Sequence, residues 1–422
     1  MTEAQPRVEA RRGLRRLFLD LTPIRVSGDF RRLWIGQTLS LVLGEVTYVA
    51  LPFQVYELTK STAAVGAIAI VELVPLLSLT LIGGAAADAL DRRRLLVWTE
   101  AGTAAAVAGL VVNAALPHPQ VALCFVFAFF AAAFSSFGAG AVRSLIPRLV
   151  PPEHIPSALA LNTLYSNFGA VFGPVAGGIL IATIGLTGAY AVGVVGFLAS
   201  LTAFWLLPSI VPVDGGEPVG LRSVLAGFRY LAGQRVVLGC FVIDTIAMVF
   251  GMPSSLFPAL ALSRFNAGGF VVGLLYAAPG IGALVASLLS GWISHVRRQG
   301  VGIVVAATLW GVAITAFGFA TALPVAILLL AAAGCADAFS AVMRGTIMFA
   351  TTPDAFQGRV SAAYLAQVTS APRLGNLEAG GVASLTSVRF SIVSGGIACV
   401  LGCIAIVLFI PALISYDSRS KE

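Results

Sequence analysis

The chain has 422 residues, of which 58% are hydrophobic and 11% charged, with a formal net charge of +7. A soluble domain carries about 25% charged residues, so this chain could not cover its surface with polar groups in water, and a soluble protein is excluded. Apolar runs of about 18 residues or more recur along its length, each able to cross a hydrocarbon core of ~30 Å, whereas a β-barrel would show short alternating segments.

Residues 1–32 read as a polar N-terminal tail with eight arginines. Cuts at charges, glycines and prolines then predict twelve spans: 33–57, 62–87, 95–116, 120–146, 157–183, 186–208, 236–262, 270–294, 302–322, 324–350, 357–386 and 391–415. The fold class is thus an all-α membrane protein. Residues 33–208 form an N-terminal six-helix bundle and 236–415 a C-terminal one, with a cytoplasmic linker at 209–235 and a tail at 416–422. Within the linker, Leu221, Val224, Leu225, Phe228 and Leu231 recur at helical spacing, which predicts a short helix over 221–233 lying on the membrane surface. The first apolar run is too long for the core of a cleavable signal peptide.

The positive charge describes topology rather than a nucleic-acid partner. With the N-terminus in the cytoplasm, 22 of the 26 Lys and Arg fall on that side; Lys60, Arg264 and Arg389 fall outside, and Arg373 lies inside a span. That asymmetry predicts both termini inside the cell and an even number of spans in the cell membrane. The two halves also repeat. Arg143 precedes Pro152-Glu153 at the spacing at which Arg344 precedes Pro353-Asp354, and Gly177-Gly178 has a counterpart in Gly380-Gly381. A duplicated six-helix unit is a transporter plan.

Between the second and third spans stands "GGAAADALDRRRLL", residues 83–96. Gly84 permits close helix approach. Asp88 can face the N-terminus of a neighbouring helix, where unpaired N–H groups favour an anion, and Arg143 is available as a second partner. The stretch resembles the loop signature of the major facilitator superfamily at Gly84, Asp88, Arg92 and Arg93, and departs from it at Ala89 and Asp91. The resemblance implies a twelve-helix fold, and a cytoplasmic latch in which Asp88 meets the start of the eleventh span near Pro353–Arg359.

The fifth span contains "NFGAVFGPVAGGIL", residues 167–180. Gly169, Gly173, Pro174, Gly177 and Gly178 strip one helix face of side chains, and Pro174 is expected to break the helix. The string resembles the motif of the proton-antiporter branch of the same superfamily, and implies tight packing beside the translocation path.

Charges inside spans are costly and point to function. Glu45 lies thirteen residues past Arg32, about 20 Å along the first span, and is the first candidate for a proton carrier. Hydroxyls such as Thr47 are its structural alternative. Asp244 occupies the comparable place in the seventh span. Asp337 lies at mid-depth in the tenth, with Arg344 two turns below it on the same face. Arg373 cannot shed its proton and needs an acid; Asp337 and Glu378 are the candidates, as a proton-sensitive network or as a fixed ion pair. Glu72 is expected either to snorkel or to touch substrate. A central cavity for amphipathic cargo is expected to be lined by Gln37, Tyr48, Phe134, Ser135, Ser136, Phe250 and Met252.

His118, His154 and His295 fall in turns or loops, and the five cysteines fall inside apolar segments without metal-ligand spacing. No nucleophile triad or phosphate-binding loop occurs. An enzyme, a metal centre and a cofactor are therefore not expected, nor is ATP-driven transport. "LGEVTYVALP" (44–53), "LAGFRYL" (225–231), "LFPALA" (256–261), "GLLYAAPGIGA" (273–283) and "GRVSAAYLAQ" (358–367) resemble the branch that includes enterobactin and macrolide exporters. The resemblance implies a proton-coupled antiporter that exports amphipathic small molecules, drugs or siderophores by alternating access, as a monomer. A non-transporting sensor or assembly factor on the same fold, and a proton-symport importer, are the alternatives.

Overall fold

The computed structural model describes residues 20–209, 229–231 and 233–417, and all regular structure among them is helical. Ten helical stretches are long and apolar enough to cross a bilayer. The chain-order elements are α1 (Gly28–Thr59), α2 (Thr62–Ala89), α3 (Arg92–Ala115), α4 (Val121–Leu149), α5 (Ile155–Trp205), α6 (Arg235–Phe250), α7 (Gly269–Leu289), α8 (Gln299–Phe319), α9 (Leu323–Thr351), α10 (Asp354–Leu385) and α11 (Val388–Phe409).

Local chemistry sets the helix starts. Ser27 caps α1 by accepting from Phe30 N–H at 3.1 Å, and Ser387 caps α11 by accepting from Phe390 N–H at 3.1 Å. Asp91 caps α3 through Arg93 N–H at 3.0 Å. Each cap satisfies a donor that the first helical turn leaves unpaired. The cap at Ser27 starts α1 five residues earlier than the expected tail boundary, so 28–32 belong to the helix. Lys60 turns α1 into α2 with φ 51°.

α5 is 51 residues long, about 75 Å at 1.5 Å per residue and more than twice a bilayer core. Its backbone stays helical through Pro174; the one non-helical residue is Gly185, with φ 72° and ψ 179°. The expected break at Pro174 is therefore absent, and the chain bends eleven residues later. A proline inside a helix removes one hydrogen bond, but a positive φ at that extended ψ is open only to glycine. α10 has the length of a span but falls outside the ten apolar stretches, because it carries Asp354, Arg359, Arg373 and Glu378.

In the N-terminal half, α1 packs on α5, α2 on α4, and α3 on α4 and α5. In the C-terminal half, α10 packs on α6, α7 on α9, and α8 on α9 and α11. The halves meet through α2 against α10 and α5 against α7. Large apolar side chains such as Leu288, Leu385 and Phe409 point outward, as a lipid-facing surface requires. Of the expected linker helix at 221–233, residues 229–231 and 233 are helical and the rest lies outside the described residues. The described end is anchored on the C-terminal half: the Tyr230 ring stacks on Phe356 at 4.4 Å, and Leu231 is buried beside Val237 and Val360.

Candidate functional site

A cavity of about 650 Å³ runs between the halves, with most of its wall from α1 to α5. Its charged lining groups are Glu45, Glu72, Glu100 and Arg373. A second cavity, about 100 Å³, is lined by Tyr48, Met252, Tyr276 and Trp310.

Glu45 is held at the cavity wall by the glycine face of α5. A β-carbon at Gly169 would meet Leu41, one at Gly173 would meet Glu45 itself, and one at Gly177 would lie 3.1 Å from Val46 Cα. Residues four apart share a helix face, so these three glycines form the groove into which α1 settles. Gly178 faces the other way and lets α7 approach at Gly269 and Gly273. The string thus joins α5 to two helices, one in each half. Glu45 has no ion pair or hydrogen-bond partner among the described residues. The Thr47 hydroxyl, its expected alternative partner, is itself buried without a partner.

Arg373 does not join Asp337 or Glu378. Its Nε lies 3.7 Å from Glu72 Oε2 on α2, and its Nη1 donates to Thr369 O at 2.7 Å. Glu72 therefore neither snorkels nor stands alone; it is the acid that keeps a guanidinium inside the bundle. Glu378 is half-buried and makes no ion pair among the described residues. Near Arg373, Asn376 Oδ1 accepts from Ser254 Oγ at 2.6 Å and from Ser255 N–H at 2.9 Å. Further cross-half contacts lie nearby: Tyr48 meets Tyr276 edge to face at 5.3 Å, and Thr62 Oγ1 donates to Gly380 O at 3.0 Å.

The other expected acids form a separate cluster in the C-terminal half. Arg344 Nη2 lies 2.8 Å from Asp244 Oδ1 and 3.4 Å from Asp337 Oδ1, and Nη1 donates to Ser340 Oγ at 2.7 Å. Gln367 Nε2 donates to Asp244 Oδ2 at 3.1 Å and to Phe241 O at 2.7 Å. Asp244 and Arg344 are each 3% exposed. A buried guanidinium shared by two carboxylates, with Ser340 and Gln367 as neutral neighbours and Arg344 Nε left unpaired, ties α6, α9 and α10 together. The network that joins Asp337 to Arg373 is therefore replaced by two ion-pair groups on different helix pairs.

The expected cavity residues divide. Gln37, Tyr48 and Ser135 line the larger cavity and Met252 the smaller. Phe134, Ser136 and Phe250 line neither. Phe134 packs on Gly102 of α3, Ser136 is buried, and the Phe250 backbone faces Gly395. One residue is about 100° of rotation on a helix, which is why Ser135 faces the cavity and both its neighbours turn away.

Of the expected latch, Gly84 and the side chains of Asp88 and Arg143 lie outside what is described. Arg92 is buried at the start of α3. Arg93 serves its own half: Nη2 donates to Trp205 O at 2.5 Å and its guanidinium lies 5.8 Å from the Trp205 ring centre.

Glu100 on α3 is the group that the sequence reading missed. It lines the larger cavity at 9% exposure and accepts hydrogen bonds from the hydroxyls of Ser200 and Ser40. The signal was present, because Glu100 is the sixth residue of the apolar run that begins at Leu95 and is an isolated acid inside a span, as Glu45 is. Gln54, whose Oε1 accepts from Tyr190 Oη at 2.8 Å, is a second buried polar pair.

Comparison with known proteins agrees with this architecture. Residues 20–422 match the family model described as transmembrane secretion effector. The chain is 29% identical over 378 residues to the enterobactin exporter EntS of Citrobacter koseri, covering 89% of this chain and 91% of the relative. It is 27% identical over 393 residues to EntS of Escherichia coli, covering 93% and 94%. Among solved structures, the nucleoside transporter NupG aligns with a TM-score of 0.71 at 13% identity, covering 92% of this chain and 99% of that one. A bacterial homologue of the iron transporter ferroportin, in an inward-facing state, aligns with a TM-score of 0.68 at 14% identity, covering 90% and 98%. These relatives are transporters rather than enzymes, and a match over nearly the whole chain, on a helical bundle with a polar cavity between its halves, makes this protein a member of the transmembrane secretion effector family of the major facilitator superfamily.

Proposed function

We propose that the protein is a proton-coupled exporter of amphipathic organic molecules. In this reading the two arms of α5 on either side of Gly185, together with the more polar α10, bring the ten apolar stretches to twelve spans, arranged as two six-helix bundles with both termini in the cytoplasm. The halves rock about the cavity and give alternating access. The observation that carries the reading is Glu45. It is a carboxylate within a membrane-length helix, lining a cargo-sized cavity, without a partner among the described residues, and pressed against Gly173 of the glycine-proline string. A carboxylate left unpaired there is most readily kept neutral by a proton. Protonation and deprotonation then change which arrangement of the halves is favoured. Asp88, Arg92, Arg143 and the start of α10 act as the cytoplasmic latch in the same scheme.

Export as the direction is supported by the relatives, which are enterobactin exporters, and a siderophore is accordingly one candidate cargo beside drug-like amphiphiles. Cells that express the protein are loaded with a fluorescent amphiphile, and its efflux is followed. Efflux is expected to stop with a protonophore and with Glu45→Gln. Efflux that survives both would overturn proton coupling.

A further inference from the structure

The smaller cavity belongs almost wholly to the C-terminal half. Phe257, Tyr276 of α7, Trp310 of α8, and Leu330 and Ala333 of α9 line it. Among the described residues, Tyr48 of α1 is the one wall residue from the N-terminal half. Its ring meets Tyr276 edge to face at 5.3 Å, and Tyr276 meets Phe257 in the same way at 5.0 Å. Tyr48 and Tyr276 also line the larger cavity, so this tyrosine pair stands between the two spaces.

Most polar groups around the smaller cavity are already used. Ser254 Oγ donates to Asn376 Oδ1 at 2.6 Å, Ser254 O accepts from Tyr276 Oη at 3.0 Å, and the Tyr48 hydroxyl bonds to the Ser254 side chain. Trp310 is different. It is 4% exposed, and its indole Nε1 is buried without a hydrogen-bond partner among the described residues. Buried donors are seldom left so. An ordered buried water needs two to four polar partners, and one indole N–H is a single donor. The volume is about 100 Å³, on the scale of the apolar cavity of ~150 Å³ that takes one benzene ring. The tyrosine and phenylalanine rings of the wall suit a further ring packed edge to face.

We propose that the smaller cavity is a ligand site separate from the larger one, for a single-ring aromatic molecule that carries one hydrogen-bond acceptor, and that its occupant holds the two halves together. The acceptor satisfies Trp310 Nε1, and the ring fills the space between Phe257, Tyr276 and Ala333. Because Tyr48 alone closes the site from the N-terminal half, the site is complete only while α1 lies against α7. A ligand that binds one of two arrangements draws the population toward it. Such a molecule slows the cycle without entering the space that the cargo uses. The holding role rests on the reading that the halves part during transport; the site itself does not.

Benzonitrile, one ring with one compact acceptor, is the probe. Its binding to the purified full-length protein in detergent micelles is measured by equilibrium dialysis and corrected against protein-free micelles. Saturable binding is expected. Ala333→Leu fills the cavity from its α9 wall and should weaken binding at least ~10-fold, the scale of an overpacked contact; Ala333→Val, which adds less bulk, replaces it if the leucine variant does not fold. Trp310→Phe should weaken benzonitrile about fivefold, the worth of one neutral hydrogen bond, while toluene, of similar size without the nitrile, should lose nothing. Thr62 is buried where α2 meets α10, so maleimide labelling of Thr62→Cys, above the native cysteine background, reports the parting of the halves. Benzonitrile at about ten times its dissociation constant should slow that labelling about tenfold, and should not slow it when Ala333→Leu is added. No saturable binding, or benzonitrile binding indifferent to either cavity substitution, would overturn the site. Labelling that benzonitrile leaves unchanged would overturn the holding role. A Thr62→Cys that never labels, with binding still lost in Ala333→Leu, would sink the parting of the halves and leave the site standing.

Discussion

Glu72 on α2 and Arg373 on α10 face each other at 3.7 Å across the division between the two halves of the chain. Both side chains are more than two-thirds buried, so the pair lies between an exposed ion pair worth under about 1 kcal/mol and a buried one whose disruption costs about 3–5 kcal/mol. In the proposed alternating-access cycle the two halves part here, and the pair breaks when they do. Charge reversal at one partner, Glu72→Arg or Arg373→Glu, should reduce efflux by about tenfold, the equivalent of about 1.4 kcal/mol. The double reversal should restore most of it. A double reversal no better than the singles would show that the pair is not a contact of the transport cycle.

Glycines on α5 and α10 should respond oppositely to the same substitution. At Gly173 an added methyl collides with Glu45, whereas at Gly381 nothing lies within 4 Å. Overpacking a close helix contact costs about 1–3 kcal/mol. Gly173→Ala should lower the melting temperature measured in detergent, and Gly381→Ala should leave it unchanged or raise it slightly through helix propensity. Equal melting temperatures for the two variants would contradict the packing of α5 on α1.

The Asp244–Arg344 pair should behave as a buried junction. Asp244→Asn keeps the shape and leaves Arg344 with Asp337 alone, so the loss should be moderate. Arg344→Met strands two acids, and the expected cost is about 3–5 kcal/mol, read as a large fall in melting temperature. Combining Arg344→Met with Asp244→Leu should recover much of it. If the double variant melts no higher than Arg344→Met, the cost lies in packing rather than charge.

The segment before α1 carries a pH dependence far from neutrality. Asp20 is fully exposed, and hydrogen bonds from Thr22 and Ser157 lower its pKa from 3.8 to about 2. A depressed carboxylate pKa gives docking that is complete above the unfolded value near 3.8 and lost as pH falls through about 2. A spin label at residue 21 should keep constant mobility from pH 8 to pH 5 and become more mobile between pH 4 and pH 2. A change centred near neutrality would show that Asp20 does not hold this segment.

Much of the fold was legible because hydropathy over span-length windows is a strong signal. The turn at Gly185 falls between the spans expected at 157–183 and 186–208 and was legible; the break expected at Pro174 was not formed, because a proline inside a helix removes one hydrogen bond without forcing the chain to turn. The acids were legible as isolated charges in apolar runs, yet their partners were not. Arg373 has Glu378 five residues away on its own helix, but its partner sits on α2, and pairing across halves depends on rotations that no local pattern encodes. The same limit misassigned Phe134 and Ser136 around Ser135. Glu100 was legible as an isolated acid in an apolar run, but its partner Ser200 lies on α5, and no local pattern encodes that contact.

Asp244 and Asp337 of the C-terminal half are bound up with Arg344, while Glu45 and Glu100 of the N-terminal half line the larger cavity. Selection can therefore refit the working chamber, acid by acid, without loosening the frame against which it moves. A lineage that meets new toxic or useful compounds would find its quickest adaptations on α1 and α3.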